Sequence, residues 1–334
     1  MRKGNRVVIM VVGIGYHYVR PDFEQPYPGF FGVTNEEFRT QLQLLARYGE
    51  FVGLNDIRRS LTEGYVLPEK AWLVTFDDGL REQYEQALPI LDELGIPAVL
   101  FTPTKPLVDG KLLNVHMIHT LRSLVDPAVL SKEVYLICDQ HGFEVGEVAR
   151  EKATTQYFYD TPEVAEIKYL LNFALPAEVR VPVTRECFKR LVDEDEKVLC
   201  DSLYMDRKQL KDLADRDFLG THAHAHMPLG TLKPEEIEHD IAQSNELLKT
   251  WTGKNMDAIA YPYGSKAACT PRVGEIAKQL GLDMGFTMER AVFDKHVDPM
   301  FIPRCAPNDL PGGSSPRWSF ETGFEQVPVS TWYS

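Results

Sequence analysis

Short apolar runs that stop at polar turns, each followed by residues of helical periodicity, constrain this chain more than any other feature. Positions 7–12 form an apolar run of strand length, and a run without polar alternation suits a strand covered on both faces. Thr34-Asn35-Glu36-Glu37 then opens a helix in which Phe38, Leu42, Leu44 and Leu45 recur at helical spacing, ending near Gly49. Positions 72–76 give a second apolar strand, stopped by Asp77-Asp78-Gly79. A helix follows over 82–94, ended by Gly95, and then another strand over 97–101. This alternation predicts a parallel sheet with helices packed on it.

The rhythm breaks over 105–200, where the pattern is mainly helical, for example over 162–175 and 184–199, and this stretch reads as an insertion within a single domain of residues 1–334. After it come a helix from Asp206, a strand over 217–219, a long helix from Pro234 to near Trp251, and strands over 258–261, 285–287 and 301–303. The tail over 311–334, beginning Pro311-Gly312-Gly313-Ser314-Ser315-Pro316, predicts a loop-like and mobile segment.

Charge and cysteine content narrow the function classes. A net charge of -13 argues against a general nucleic-acid or membrane-surface binder, since either needs a basic face. The five cysteines, Cys138, Cys187, Cys200, Cys269 and Cys305, lack CxxC spacing and read as reduced thiols rather than a disulfide framework. No run of about 18 apolar residues is present, so no membrane span is expected. The basic start Met1-Arg2-Lys3 ahead of an apolar run resembles a signal peptide superficially. That run is short and β-branched, and Tyr16-His17-Tyr18 follows in place of a small-x-small cleavage site. A buried first strand and a cytoplasmic protein are the expectations.

In parallel α/β folds chemistry collects where strands end at their C-termini, and three polar clusters sit there. Asp77 and Asp78 follow the 72–76 strand, with Gly79 permitting a sharp turn. Two carboxylates so close raise one pKa unless a cation lies between them. Either residue would equally serve as a helix N-cap. Gly220-Thr221-His222-Ala223-His224-Ala225-His226 places three histidines in five residues. On a helical turn His222 and His226 share a face within reach of one metal; on an extended strand all three would face one way, with His224 as substitute ligand. Two imidazoles and one carboxylate suit a hydrolytic zinc, iron, cobalt or nickel site with open positions. The third cluster, Ala260-Tyr261-Pro262-Tyr263-Gly264, is a strand-to-loop turn able to aim the backbone N–H of Tyr263 at an oxyanion, and a tight turn explains it equally well.

Together these segments resemble the polysaccharide deacetylase family, the NodB-homology or carbohydrate esterase family 4 deacetylases. Thr75-Phe76-Asp77-Asp78-Gly79 is similar to the family's first motif, Gly220-Thr221-His222 with His226 and Leu229 to its second, and Ala260 to Gly264 to a variant of its third. Tyr16-His17-Tyr18-Val19, and Phe38 with Gln41-Leu42, resemble the start of one branch. The likeness covers roughly residues 6–104 and 201–305. It implies an α/β fold, a distorted (β/α)7 barrel with a mainly helical insertion. It also implies Asp77 as general base, one divalent metal (zinc first) on Asp78, His222 and His226, and the Tyr263 N–H as oxyanion donor.

Two family features are missing. The arginine that usually opens the third motif is Ala260 here, with Arg304 and Arg20 as candidate replacements. No Leu-His pair supplies a general acid after Phe286; His296 matches it poorly, and His17, then His116 and His119, are the candidates. The expected activity is removal of an N-acetyl group from an amino sugar, on a carbohydrate that is a nucleotide-linked or lipid-linked precursor of a surface polysaccharide. The competing readings are an amidohydrolase acting on a non-sugar amide or imide, and a sugar-binding protein that keeps the metal without turnover.

Overall fold

The computed structural model describes residues 10–24, 32–143, 150–157, 160–294, 296–320 and 324–333. Positions 7–9 of the expected first strand, 144–149 and 158–159 of the expected insertion, and 321–323 and 334 of the tail lie outside the described residues. The chain divides into two compact units, one of Met1–Pro21, Gly32–Asp109 and Asp201–Ser334, the other of Asp22–Phe31 and Gly110–Cys200.

The first unit is built on seven parallel strands: β1 (Met10–Tyr16), β2 (Lys70–Phe76), β3 (Ala98–Thr102), β4 (Leu219–Thr221), β5 (Ala258–Ala260), β6 (Met284–Phe286) and β7 (Arg304–Cys305). Around the sheet they run β7-β1-β2-β3-β4-β5-β6, and a short strand at Glu50–Phe51 also pairs with β2. Ile302, just before β7, pairs with Phe286 and nearly closes the sheet into a barrel. All strands point one way, so all their C-terminal ends lie at one end of the barrel.

Alternation along each strand separates two cores. Val12, Ile14 and Tyr16 of β1 and Trp72, Val74 and Phe76 of β2 point outward onto helix Asn35–Leu45 through Phe38, Leu42 and Leu45. Val11, Leu73, Val99, Phe101, Ala258 and Phe286 fill the barrel interior. Both faces are buried, which is why the strands read as unbroken apolar runs. The helix begins as its sequence predicts: Glu37 N donates to Thr34 Oγ1 at 3.1 Å, and Thr34 N donates to the Glu37 carboxylate at 2.7 Å.

Several elements depart from the sequence reading. The strand expected at 217–219 lies at Leu219–Thr221, because Asp217, at φ 59°, still belongs to the turn after helix Arg207–Asp215. The strand expected at 301–303 is displaced to Arg304–Cys305 by a 3₁₀ turn at Pro299–Phe301, which Asp298 caps through Met300 N. The tail has little regular structure, but Phe320 and Phe324 are buried, with rings 5.0 and 4.5 Å from that of Trp72, so it is packed rather than loose. Further along, the Glu289 carboxylate accepts from Ser330 Oγ at 2.6 Å and Thr331 N at 2.8 Å.

The second unit is helical. The helix expected over 184–199 is two, Ala177–Leu191 and Glu196–Leu203. Asp195 accepts from Lys197 N and Val198 N, and such a carboxylate caps a helix more favourably than it continues one.

Candidate active site

The Asp77-Asp78-Gly79 turn leaves β2 with Asp77 still in the ladder, its N–H donating to Tyr16 O at 3.0 Å. Asp78 and Gly79 then take left-handed conformations, φ 78° and 64°. A Cβ at position 79 would lie 2.1 Å from Thr102 Oγ1, so both the backbone and the close approach to β3 require glycine. Gln83, fully buried, ties two strand ends together by donating from Nε2 to Asp77 O at 2.5 Å and His17 O at 2.9 Å. No signal in the sequence marked Gln83.

Across the barrel mouth, β4 delivers the histidine turn. His222 N donates to Thr102 O at 2.9 Å, and Ala223 and His226 adopt φ values of 60° and 55°. This turn brings the two imidazoles together, ring centroids 4.9 Å apart, with Nε2 of His226 3.1 Å and Nε2 of His222 3.5 Å from Asp78 Oδ1. The three donor atoms lie within 4.8 Å of one another and all three residues are buried. His224 goes elsewhere: its Nδ1 lies 2.8 Å from Thr104 Oγ1, and it is not among the three residues whose donor atoms gather.

The donor chemistry fits a divalent cation. Nδ1 of His222 is 2.7 Å from the Ala260 carbonyl, which can only accept, so this nitrogen carries the hydrogen and in the neutral ring Nε2 faces Asp78 with a lone pair. A lone pair directed at a carboxylate oxygen is repulsive unless a proton or a metal ion sits between them. Burial presses the His222 imidazolium pKa down. The Asp77 and Asp78 carboxylates and the Ala260 carbonyl outweigh it, leaving the net value above that of an ordinary histidine. Two imidazole nitrogens and one carboxylate oxygen are a set that zinc and its neighbours accept with positions left open.

Asp77 has a separate partner. Arg304, completely buried, donates from Nη1 to Asp77 Oδ1 and from Nη2 to Oδ2, each at 2.7 Å, and also from Nη1 to Thr75 Oγ1 and from Nε to Thr287 O. Burial alone would push the Asp77 carboxyl up, but the Arg304 guanidinium, with His222 and His17 nearby, holds it below the usual carboxylate range. Of the two arginine candidates, Arg304 is the one paired with Asp77. Arg20 is engaged with Glu82 instead, Nε to Oε2 at 2.6 Å.

Tyr263 sits at φ 65° beside Gly264 at φ 56°, two consecutive left-handed residues after Pro262, with its ring 5.1 Å from that of His226. A Cβ on Gly264 would lie 2.5 Å from Met288 Cγ. Asp78, Ala223, His226 and Tyr263 are four of the seven described non-glycine residues at positive φ, so backbone strain concentrates at this site. His17, partly buried at the end of β1, is close enough for its charge to act on Asp77. His116 and His119 belong to helix Asn114–Leu124 of the helical unit. His296 is exposed in the turn after Asp294.

A parallel barrel with two imidazoles and two carboxylates gathered at its strand ends defines the class: α/β-barrel proteins of hydrolytic type. The chain belongs to the polysaccharide deacetylase family, whose profile, described as "Polysaccharide deacetylase", matches residues 65–146 and 186–285, more than half its length. The poly-β-1,6-N-acetyl-D-glucosamine N-deacetylase of Escherichia coli (strain K12) is 25% identical over 282 residues, covering 83% of this chain and 34% of that protein. The chain thus spans about a third of the length of the curated relatives it matches. Among solved structures, IcaB from Ammonifex degensii matches with a TM-score of 0.53 at 20% identity, over 91% of this chain and 95% of that one. The Streptococcus pyogenes deacetylase PplD in complex with acetate matches with a TM-score of 0.54 at 15% identity, over 90% and 92%. At these identities the likeness to solved structures is one of fold.

Proposed function

We propose that this protein is a metal-dependent hydrolase that removes the N-acetyl group of an amino sugar. The observation that carries the reading is the convergence of Asp78, His222 and His226 beside a second carboxylate, Asp77, which is held separately by Arg304. A divalent cation bound by the three residues, zinc before iron, cobalt or nickel, would supply Lewis-acid polarisation of the amide carbonyl and make water acidic near neutral pH.

The chain's own groups perform the remaining work. Asp77, kept ionised by Arg304, takes a proton from the attacking water. The Tyr263 N–H, presented by its left-handed turn, donates to the oxyanion as the carbonyl carbon becomes tetrahedral. His17 gives a proton to the sugar nitrogen as the C–N bond breaks, so acetate and a free amine result. Asp77, ionised and paired with Arg304, is the base, and the leaving amine also takes up a proton; His17 is the histidine that follows β1 into this end of the barrel.

The family and the name of the E. coli relative support an N-acetylated amino sugar as substrate; we place it in polysaccharide or glycoconjugate biosynthesis, as a polymer segment or a nucleotide- or lipid-linked precursor. A cytoplasmic setting belongs to the same proposal and rests on the five free cysteines. The test is acetate release from N-acetylglucosamine oligomers and from a nucleotide-linked N-acetyl sugar, with zinc present and after chelation. Zinc-dependent acetate from either supports the reading. No acetate from either, alongside opening of a cyclic imide, would move the protein to another class of amidohydrolase. His17→Ala is expected to lower kcat by about 10²-fold or more, the usual worth of a general acid, and a rate close to that of the unaltered protein would remove His17 from the mechanism.

A further inference from the structure

The histidine turn is held by a helix that contributes no ligand. Helix Pro234–Thr252 presents Ile237, Ile241 and Leu248 to the core, and the same inner stripe carries Asp240 and Ser244 beside the histidine turn. They are four apart and so share a helix face. Polar groups at such positions are costly to bury unless each atom finds a partner, and both find theirs in the turn that bears His222 and His226.

The Asp240 carboxylate accepts from His224 N at 2.7 Å through Oδ1 and from Ala225 N at 3.1 Å through Oδ2. Ser244 Oγ donates to Ala223 O at 3.0 Å and lies 2.8 Å from Thr221 Oγ1. From the β3 side, Lys105 N donates to His224 O at 3.0 Å, and Thr104 Oγ1 meets the His224 ring. The peptides between Ala223 and Ala225 are therefore held from two neighbouring elements, while Ala223 and His226 hold positive φ values that side chains disfavour. Released from those anchors, the turn would relax toward ordinary dihedrals and rotate the Cα–Cβ bonds that aim both imidazoles at Asp78.

We propose that Asp240 is a positioning residue for the metal site: its carboxylate, anchored on the 234–252 helix, holds the backbone between His222 and His226 in the strained turn that brings both Nε2 atoms onto one ion. The assignment rests on the metal-binding reading given above. It also gives His224 a role, as the ring that locks the turn from the opposite side instead of as a third ligand.

Asp240→Asn keeps the shape and one carbonyl oxygen but removes the charge and one acceptor. Zinc affinity, measured by competition with a chromophoric chelator, is expected to fall about 10- to 100-fold, the range typical of groups that orient ligands. A role in folding alone would lower Tm equally with and without zinc; positioning shrinks the rise in Tm that zinc produces, since that rise follows affinity. Ser244→Ala should show the same pattern more weakly, and Glu238→Gln, exposed on the same helix, should show none. An Asp240→Asn protein with zinc affinity within twofold of the parent, or with an unchanged zinc-induced rise in Tm, would overturn the proposal. Failure of the unaltered protein to take up zinc would overturn the metal reading together with it, whereas uptake that Asp78→Asn abolishes and Asp240→Asn spares would overturn the positioning role alone.

Discussion

Asp78→Asn is expected to lower acetate release by about 10³-fold or more and to abolish tight zinc binding in the same step. The substitution changes little in volume, yet it replaces the anionic oxygen that lies 3.1 and 3.5 Å from the two Nε2 atoms by a neutral amide. Loss of a catalytic ion removes several kcal/mol of charge stabilisation, and about 4 kcal/mol corresponds to roughly 10³ in rate. Asp77→Asn should cost about 10²- to 10⁴-fold in rate, as a missing general base does, while zinc binding persists, because Asp77 points to Arg304 and lies outside the ligand set. The pair separates two roles that adjacent carboxylates could otherwise share. Metal content by mass spectrometry and acetate by enzymatic assay decide it. Zinc retained by Asp78→Asn, or lost by Asp77→Asn, would reverse the assignment of the two residues.

The parts of this site that were legible in the sequence are those whose partners lie a few residues apart. Asp77 and Asp78 are consecutive, and His222 and His226 share one turn, so residue type and spacing alone were informative. The strands were legible for a related reason: burial on both faces leaves an apolar run with no polar interruption. Arg304 and Asp77 are 227 positions apart, and nothing local distinguished Arg304 from Arg20. Only the register of β7 against β1, with Gly13 opposite Arg304, turns that side chain inward toward the end of β2. Gly13 is part of that outcome, since a Cβ there would lie 2.8 Å from Arg304 Cγ. The choice between a helical and an extended histidine segment was also beyond the sequence. The answer is neither: it is an irregular turn through positive φ at Ala223 and His226, hydrogen-bonded to Asp240 and Ser244 of another element. Helices Leu54–Thr62 and Pro271–Gln279, nine residues each, went unread.

Arg304→Met is expected to destabilise the metal-free protein by about 3–5 kcal/mol, because it leaves the Asp77 carboxylate buried without its counter-charge. The guanidinium is completely buried, stacked 5.7 Å from the Phe101 ring centroid and 6.0 Å from that of Phe286, so the methionine remains in an apolar surround while Asp77 loses both charged hydrogen bonds. The pH dependence follows from the direction of the Asp77 shift. With Arg304 present the folded pKa is depressed, so Asp77 contributes stability above the unfolded value of about 3.9, and that contribution is lost as pH falls through the folded pKa. Without Arg304, burial dominates and the folded pKa rises above the unfolded one. The stability of Arg304→Met relative to the parent should then improve as pH falls from 7 toward 4, and the acid limb of kcat/KM should move to higher pH as the base holds its proton longer. Arg304→Lys restores a charge without the two-pronged fork and should fall between the two. The double variant Asp77→Asn/Arg304→Met removes the stranded charge and should be more stable at pH 7 than Arg304→Met alone. Denaturant unfolding of the four chelated proteins at pH 5 and 7 tests the set. A double variant no more stable than the single, or an Arg304→Met loss that does not shrink at pH 5, would show that the pair does not carry the buried charge of this site.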